Sequence, residues 1–225
     1  EEKRILDSYG GLLKFTSNSN FDSPHLLNRY LEIFSSEAKD FLHQFRDTSS
    51  YIDIISKLQR FENLKVLVVG DAIVDEYHYV APLGQAGKGF HLAVKYNSLE
   101  RFAGGSLAVA NHISGFAKEV TLVAGLGKND VYEEFVKAEL NKGVAQKFFQ
   151  TDEFSTTVKR RYVDFDMNKL FEVCFFNEDP QSENIDRDVC SWLDEHVPEY
   201  DLVIVPDFGN GFITKNMVEV ICEKA

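Results

Sequence analysis

Three short stretches of this 225-residue chain hold residue types whose spacing could do chemistry. The first, Gly70-Asp71-Ala72-Ile73-Val74-Asp75, puts two carboxylates just past an apolar run, Leu64 to Val69, that reads as a buried parallel strand. Carboxylates in such a turn accept hydrogen bonds from sugar hydroxyls or hold a cation through water. Two uses are open for Asp71, a ligand contact or the satisfaction of turn amides. Asp75 is the stronger ligand candidate. The second, Phe102-Ala103-Gly104-Gly105-Ser106, places two glycines ahead of a helix. Without Cβ atoms, Gly104 and Gly105 let a ligand approach the backbone, and the helix start offers amides to a hydroxyl or phosphate. The third, Thr156 to Tyr162, is extended. Alternation sets Lys159 and Arg161 on one face with Thr157 and turns Arg160 to the other. A basic face could receive an anionic substrate or serve cross-strand ion pairs, and both readings stand.

Several chemistries are absent from the pattern. No G-x-G-x-x-G follows the first strand, and Gly84-Gln85-Ala86-Gly87-Lys88-Gly89 lacks P-loop spacing and the closing Ser or Thr. No Ser-His-Asp order occurs, and the six histidines stand apart without a metal-ligand pair, so neither a catalytic triad nor a metal site is assigned. Cys174, Cys190 and Cys222 are odd in number and lack C-x-x-C spacing, which fits a reducing cytoplasm rather than a disulfide framework. With 36 acidic against 24 basic residues, the net charge of −12 repels nucleic acid and anionic membranes alike. Glu178 to Asp201, with nine carboxylates against the single Arg187, reads as a solvated helix face and its loops. No apolar run reaches the ~18 residues of a membrane span. The missing initiator Met and the end at Ala225 suggest a piece of a longer protein.

Those motifs must be held by an alternation of strands and helices. Leu27, Leu31, Phe34, Ala38, Phe41 and Phe45 predict a helix over 23–46, capped by Ser23 with Pro24 in its first turn. Ile52, Ile55, Leu58 and Phe61 predict a second. After the strand at 64–70, short extended pieces (77–80 and 90–96) broken by Gly84, Gly87 and Gly89 suit a small sheet or flap. A helix with Leu107, Val109, Ala110, Ile113 and Phe116 inward follows, then a strand over 119–124 and a helix over 131–141 capped by Asp130. Extended segments at 155–165 and 169–176, a helix over 186–196, a strand at 202–205 and a helix capped by Thr214 complete the order. In open α/β sheets ligands bind beyond the carboxyl ends of the strands, which singles out Gly70-Asp71, Gly125-Leu126-Gly127 and Pro206-Asp207. The fold class is α/β, with a mostly parallel central sheet flanked by helices.

Taken in order, Gly70-Asp71-x-x-x-Asp75, Ala103-Gly104-Gly105 opening a helix, Gly127-x-x-Asp130, Thr157-x-Lys159-x-Arg161 and Val205-Pro206-Asp207-Phe208-Gly209-Asn210-Gly211 resemble the ribokinase-like (PfkB-type) carbohydrate kinases, nearest to the heptose phosphate kinase and ADP-heptose synthase type. The resemblance implies that residues 63–225 are the sugar-binding part of such a kinase. Asp75 would bind sugar hydroxyls, Gly104 and Gly105 would line the sugar pocket, and Asn111, Lys159 and Arg161 would be further substrate contacts. A small β-lid from 76–103 and 155–176 would cover the sugar, with a homodimer forming through it. The intact kinase would use ATP and Mg. Neither is expected to bind fully here, because the Gly-Ala-Gly-Asp stretch with the catalytic base and the Asn-x-x-Glu segment do not occur in this sequence. The chain departs from the family at Ala108, where Asn is frequent, with Asn111 one turn later. It departs again at Asn210, where the heptose kinases resemble Asp-Tyr-x-Lys-Gly. Tyr9 to Thr16 with Phe21 to Leu31 resembles the tail of a cytidylyltransferase-like domain, so 1–62 is expected to be a helical linker or appendage after a nucleotidyltransferase. An alternative role is a degenerate kinase-like module, a dimerisation or regulatory platform for that domain.

Overall fold

The computed structural model describes residues 8–10, 34–85, 87, 89–128, 131–152, 155–176 and 182–225. The chain divides into two compact units, Glu1–Ile54 and Ile55–Ala225. In the first, α1 (Ser36–Thr48) starts where the hydroxyl of Ser35 accepts the amide of Ala38. That cap stands in extended backbone and ends any helix arriving from the N-terminal side. A single helix over 23–46 is therefore corrected: Phe34 and Ser35 are not helical, and Ser23, Pro24, Leu27 and Leu31 lie outside the described residues. Helix α2 (Tyr51–Phe61) opens on a reciprocal cap in which Ser50 Oγ accepts from the amide of Asp53 while Asp53 Oδ2 accepts from the amide of Ser50.

The second unit is built on two four-stranded sheets. The central one holds β1 (Lys65–Val69), β4 (Glu119–Gly127), β5 (Val144–Thr151) and β8 (Leu202–Ile204) in the order β5-β4-β1-β8, all parallel. Its strands are apolar on both faces because helices cover both. Val66, Val68, Leu122, Ala124 and Leu126 pack against Leu107 and Ala110 of α3 (Ser106–Ile113) and Val136 of α4 (Glu133–Glu139). Leu67, Val69 and Val123 pack against Val189 and Leu193 of α5 (Glu183–His196) and Met217 and Ile221 of α6 (Lys215–Lys224). Thr214 caps α6 as its type implied. Three readings change. Gly125, Leu126 and Gly127 are strand residues rather than a turn past one. Helix α4 starts at Glu133 with Tyr132 as its N-cap, and Asp130 lies outside the described residues. β5 was not anticipated, because Val-Ala-Gln-Lys-Phe-Phe-Gln-Thr mixes polar and apolar residues without a clear period.

The second sheet, in the order β3-β2-β6-β7, joins β2 (Ala72–Gln85), β3 (Leu92–Gly105), β6 (Thr157–Val163) and β7 (Lys169–Phe175). The short pieces expected at 77–80 and 90–96 are parts of two 14-residue strands paired antiparallel from Ala72–Gly105 to Gln85–Leu92. The pairing register shifts at Tyr79/Val80 and again at Pro82/Gly84, where Gly84 takes a φ of 92°. Interruptions that read as strand ends are therefore irregularities inside one long hairpin.

One buried carboxylate fixes this sheet beside α4. Glu76, 1% exposed, accepts from Arg101 Nε at 2.9 Å, Arg160 Nε at 2.7 Å and the Tyr132 hydroxyl at 3.2 Å, with His78 Nε2 also at 3.2 Å. Burial alone would raise its pKa. The hydrogen bonds from Arg101, Arg160 and His78, with the charge of Arg160, outweigh burial and hold it at about 2 against an ordinary 4.5. A carboxylate lowered in this way stabilises the fold fully above about pH 4.5 and loses that contribution as the pH falls towards about 2. Glu76→Gln should cost about 3 kcal/mol at pH 7 and flatten the acid limb of the stability curve; urea unfolding from pH 7 down to pH ~2.5 measures both.

Candidate functional site

The β1–β2 link is only Gly70 and Asp71, and it passes from one sheet to the other at the carboxyl ends of the central strands. A Cβ at Gly70 would collide with the carbonyl oxygen of Pro206, so only glycine lets the turn lie against the segment after β8. Asp71 is 2% exposed, and its carboxylate accepts backbone amides from Phe208 at 2.8 Å, Phe212 at 3.2 Å and Asn210 at 3.4 Å. Its carbonyl oxygen accepts the amide of Ser106 at 2.8 Å. Of the two uses open for Asp71, the structure takes the bland one, although the amides belong to a distant loop rather than to its own turn. The first amide of α3 is spent on the same residue and is not left for a ligand.

Asp75 and Glu76 are consecutive on β2 and face opposite sides of the sheet. Glu76 turns to α4, whereas Asp75 stands on the other face, paired in register with Phe102 and Lys159. One carboxylate oxygen of Asp75 accepts from Arg161 Nη1, and the other lies over Gly104, where an added Cβ would overlap it. Gly104 is the floor of this carboxylate. Gly105, at φ 57°, turns the chain into α3, and a Cβ there would strike the carbonyl oxygen of Asp71. Arg161 is shared, since its Nε lies 2.8 Å from Glu172 Oε2 while its guanidinium sits over the ring of Tyr77 at 5.3 Å. Burial would lower the pKa of Arg161, but the hydrogen bond and charge of Asp75 raise it, so the guanidinium stays charged. Tyr77 in turn meets Phe102 edge to face at 5.5 Å.

Asp75, Gly104 and Arg161 therefore come together, with Tyr77, Phe102 and Glu172 as neighbours that sequence reasoning missed. Alternation held the signal for Glu172, since a cation facing Asp75 in a paired strand invites a second carboxylate from the next. Lys159 lies on the same face, in register with Asp75 and Cys174, and makes no ion pair among the described residues. Asn111 is engaged elsewhere. Its Nδ2 donates to the carbonyl of Glu139 and its Oδ1 accepts the amide of Asn141, which clasps α3 to the end of α4. An apolar cavity of about 260 Å³ among Leu58, Phe61, Leu64, Ile113 and Leu202 offers no polar group for chemistry. Among the described residues no cluster of His, Cys, Asp or Glu is arranged to hold a metal ion.

The two glycines should respond differently to substitution. Gly104→Ala displaces a side-chain carboxylate, so it should disturb the Asp75–Arg161 pair while changing unfolding free energy by less than about 1 kcal/mol. Gly105→Ala meets backbone at a left-handed φ and should cost about 2 kcal/mol or more. Urea unfolding of each variant checks the contrast.

No family model matches the chain. The bifunctional protein HldE of Trichlorobacter lovleyi is 24% identical over 170 residues, covering 76% of this chain and 35% of its own length. The D-beta-D-heptose 7-phosphate kinase of Bordetella bronchiseptica is 23% identical over 157 residues, covering 70% of this chain and 49% of its own. The chain thus spans about a third of the first of these relatives and half of the second. Among solved structures, the "possible 1-phosphofructokinase" of Thermotoga maritima superposes with a TM-score of 0.51 at 12% identity, over 71% of this chain and 51% of that one. With the motifs in order on this two-sheet framework, the chain has a ribokinase-like fold and is similar in sequence to a bifunctional protein HldE and to a D-beta-D-heptose 7-phosphate kinase.

Proposed function

We propose that residues 63–225 are the sugar-binding portion of an ATP-dependent sugar or sugar-phosphate kinase, and that the parent protein is a bifunctional kinase and nucleotidyltransferase of the ADP-heptose synthase type. One observation carries the reading. Asp75 stands on the lid face with one oxygen fixed by Arg161 and the other over a glycine, the arrangement a carboxylate needs to accept hydroxyl groups from a ring lying against the Gly104-Gly105 turn. Arg161 fixes the carboxylate, Tyr77 and Phe102 give the face its apolar surface, and Lys159 is the cation left for an anionic substituent. In phosphoryl transfer, positioning of the acceptor hydroxyl and neutralisation of charge supply most of the catalysis. This chain contributes the positioning; the nucleotide, the metal and the base belong to the parent kinase. The first relative is named a bifunctional protein, which agrees with a second activity in the parent, and residues 11–33, which carry much of the nucleotidyltransferase resemblance, lie outside the described residues. The three thiols, none in a disulfide, agree with a cytoplasmic setting.

A second reading, the kinase-like module as a dimerisation or regulatory platform, draws on Ala108 and Asn210 and on the face of the lid that carries Glu76. There His78, Tyr162 and Phe171 stack in a row, with centroids 5.0 and 4.4 Å apart, and Tyr96 meets His78 edge-on at 6.1 Å. Phe171, Val173 and Phe175 on β7 stay 39–43% exposed. Such a row of apolar side chains suits a second copy of the same lid.

Calorimetric titration with D-beta-D-heptose 7-phosphate and fructose phosphates should give saturable binding that Asp75→Ala weakens by about 10- to 100-fold, the worth of hydrogen bonds to a charged group. A folded chain that binds none of them rejects the sugar reading in favour of the platform. Sedimentation equilibrium should show a dimer that Phe171→Glu converts to monomer, while a monomeric parent chain rules out the lid interface.

A further inference from the structure

On the Asp75 face of the lid two carboxylates meet one guanidinium, and the second is more than its orientation requires. Arg161 is already fixed by Asp75, which accepts from its Nη1, and by the ring of Tyr77 at 5.3 Å. Glu172 stands opposite Arg161 in the β6–β7 register and brings Oε2 to 2.8 Å from its Nε. That oxygen is closed off from solvent and accepts no well-aligned hydrogen bond among the described residues, so the contact is chiefly one of charge. The other oxygen accepts the Cys174 thiol at 3.4 Å. Burial would raise the pKa of Glu172, but the Cys174 hydrogen bond and the charges of Arg161, Lys169 and Lys159 outweigh it and keep the carboxylate ionised.

This second carboxylate sets the charge that a ligand meets. Asp75 and Glu172 together outweigh Arg161 by one negative charge. Lys159, in register between Asp75 and Cys174, makes no ion pair among the described residues and restores neutrality. Lys169 approaches Glu172 at 3.7 Å but is 56% exposed, so water screens it. Glu100, further along the hairpin on β3, accepts the Tyr79 hydroxyl at 2.6 Å. Of the two cations that alternation along β6 puts on this face, Arg161 is therefore neutralised and Lys159 is open. A ligand with one phosphate can set it against Lys159. A second phosphate on this face would meet Glu172 and Asp75 instead, and an ion pair kept only for strand pairing would have no such selective effect.

We propose that Glu172 is a specificity-determining residue of the lid face: by neutralising Arg161 it leaves Lys159 as the single anion-accepting group and selects against sugars that carry a second phosphate. The proposal rests on the sugar-binding reading above and deepens it by naming the charge class of the ligand. Such selection works by a repulsive element rather than by a new contact. It also suits the direction of the reaction. Transfer of the γ-phosphoryl group of ATP to a hydroxyl of a sugar monophosphate, with loss of the hydroxyl proton, yields ADP and a sugar bisphosphate, the class that Glu172 disfavours.

The test is calorimetric titration of the 225-residue chain, wild type, Glu172→Gln and Glu172→Asp, with fructose, fructose 6-phosphate, D-beta-D-heptose 7-phosphate and fructose 1,6-bisphosphate. The wild type should bind the bisphosphate no more tightly than the monophosphates. Glu172→Gln should raise affinity for the bisphosphate about tenfold relative to fructose 6-phosphate, without changing affinity for fructose, while Glu172→Asp keeps the wild-type ratio. An unaltered ratio in Glu172→Gln, or an equal fall for every ligand, overturns the proposal and leaves Glu172 a cross-strand ion pair. So does a wild type that prefers the bisphosphate. Lys159→Met gives a second reading that does not depend on the folding of the Glu172 variants: the monophosphates should drop to the affinity of fructose, and a retained advantage overturns the proposal. A wild-type chain that binds none of the four removes this proposal together with the sugar reading, whereas binding with a ratio indifferent to Glu172 removes this proposal alone.

Discussion

The structure depends on a two-residue junction. Gly70 and Asp71 are all that separates the first strand of the central sheet from the first strand of the lid, and each is committed by contact rather than by propensity. Gly70 has no room for a side chain because Pro206 lies against it, and Asp71 collects three amides from the 206–212 loop with its carboxylate and one from α3 with its carbonyl. Two segments far apart in sequence are thereby fixed to one residue. A buried carboxylate is expensive unless fully paired, and pairing it with backbone amides from a loop removes the orphan donors of that loop at the same time. The lid hairpin, the Gly-Gly turn and the segment after β8 take their mutual positions from this exchange.

From that junction the two-residue period of β2 does the rest. Asp75 and Glu76 are neighbours in sequence, yet one looks onto the open face with Arg161 and Gly104 while the other is closed under Arg101, Arg160, His78 and Tyr132. The division of labour follows from environment. Glu76, with four donors around it and almost no water, is a structural anion. Asp75 shares its one arginine with Glu172 and keeps an oxygen over a glycine, which leaves it capacity to accept from a ligand. The consecutive arginines of β6 repeat the same logic from the partner strand, Arg160 answering Glu76 and Arg161 answering Asp75.

Much of the architecture could be read from residues in order. The apolar run ending at Val69, the Gly104-Gly105 turn into a helix, the Thr214 cap and the alternation of Lys159, Arg160 and Arg161 all appear in the structure where their local chemistry places them, because each depends on neighbours within a few residues. The failures have separate causes. Ser35 interrupts a helical pattern through a capping bond stronger than the periodicity around it. The 14-residue lid strands pass through Pro82 and Gly84 because the partner strand tolerates a register shift there. β5 has a weak pattern of its own and is a strand because β4 offers it an edge.

What the sequence by itself determined is the order of strands and helices apart from β5, and the identity of Asp75, Gly104 and Arg161 as groups with chemical potential, since hydrophobic period, turn composition and side-chain type are local properties. What only the tertiary structure decided is how those groups are spent. Asp71 became a clamp, Asn111 a clasp between helix ends, Arg161 a bridge between two carboxylates, and Asn210 a buried donor without an acceptor among the described residues. Hydrogen bonds and ion pairs are satisfied by whichever partner the fold brings within about 3 Å, and residues 71 and 210, or 75 and 161, are made neighbours by strand pairing and loop closure that no local pattern encodes.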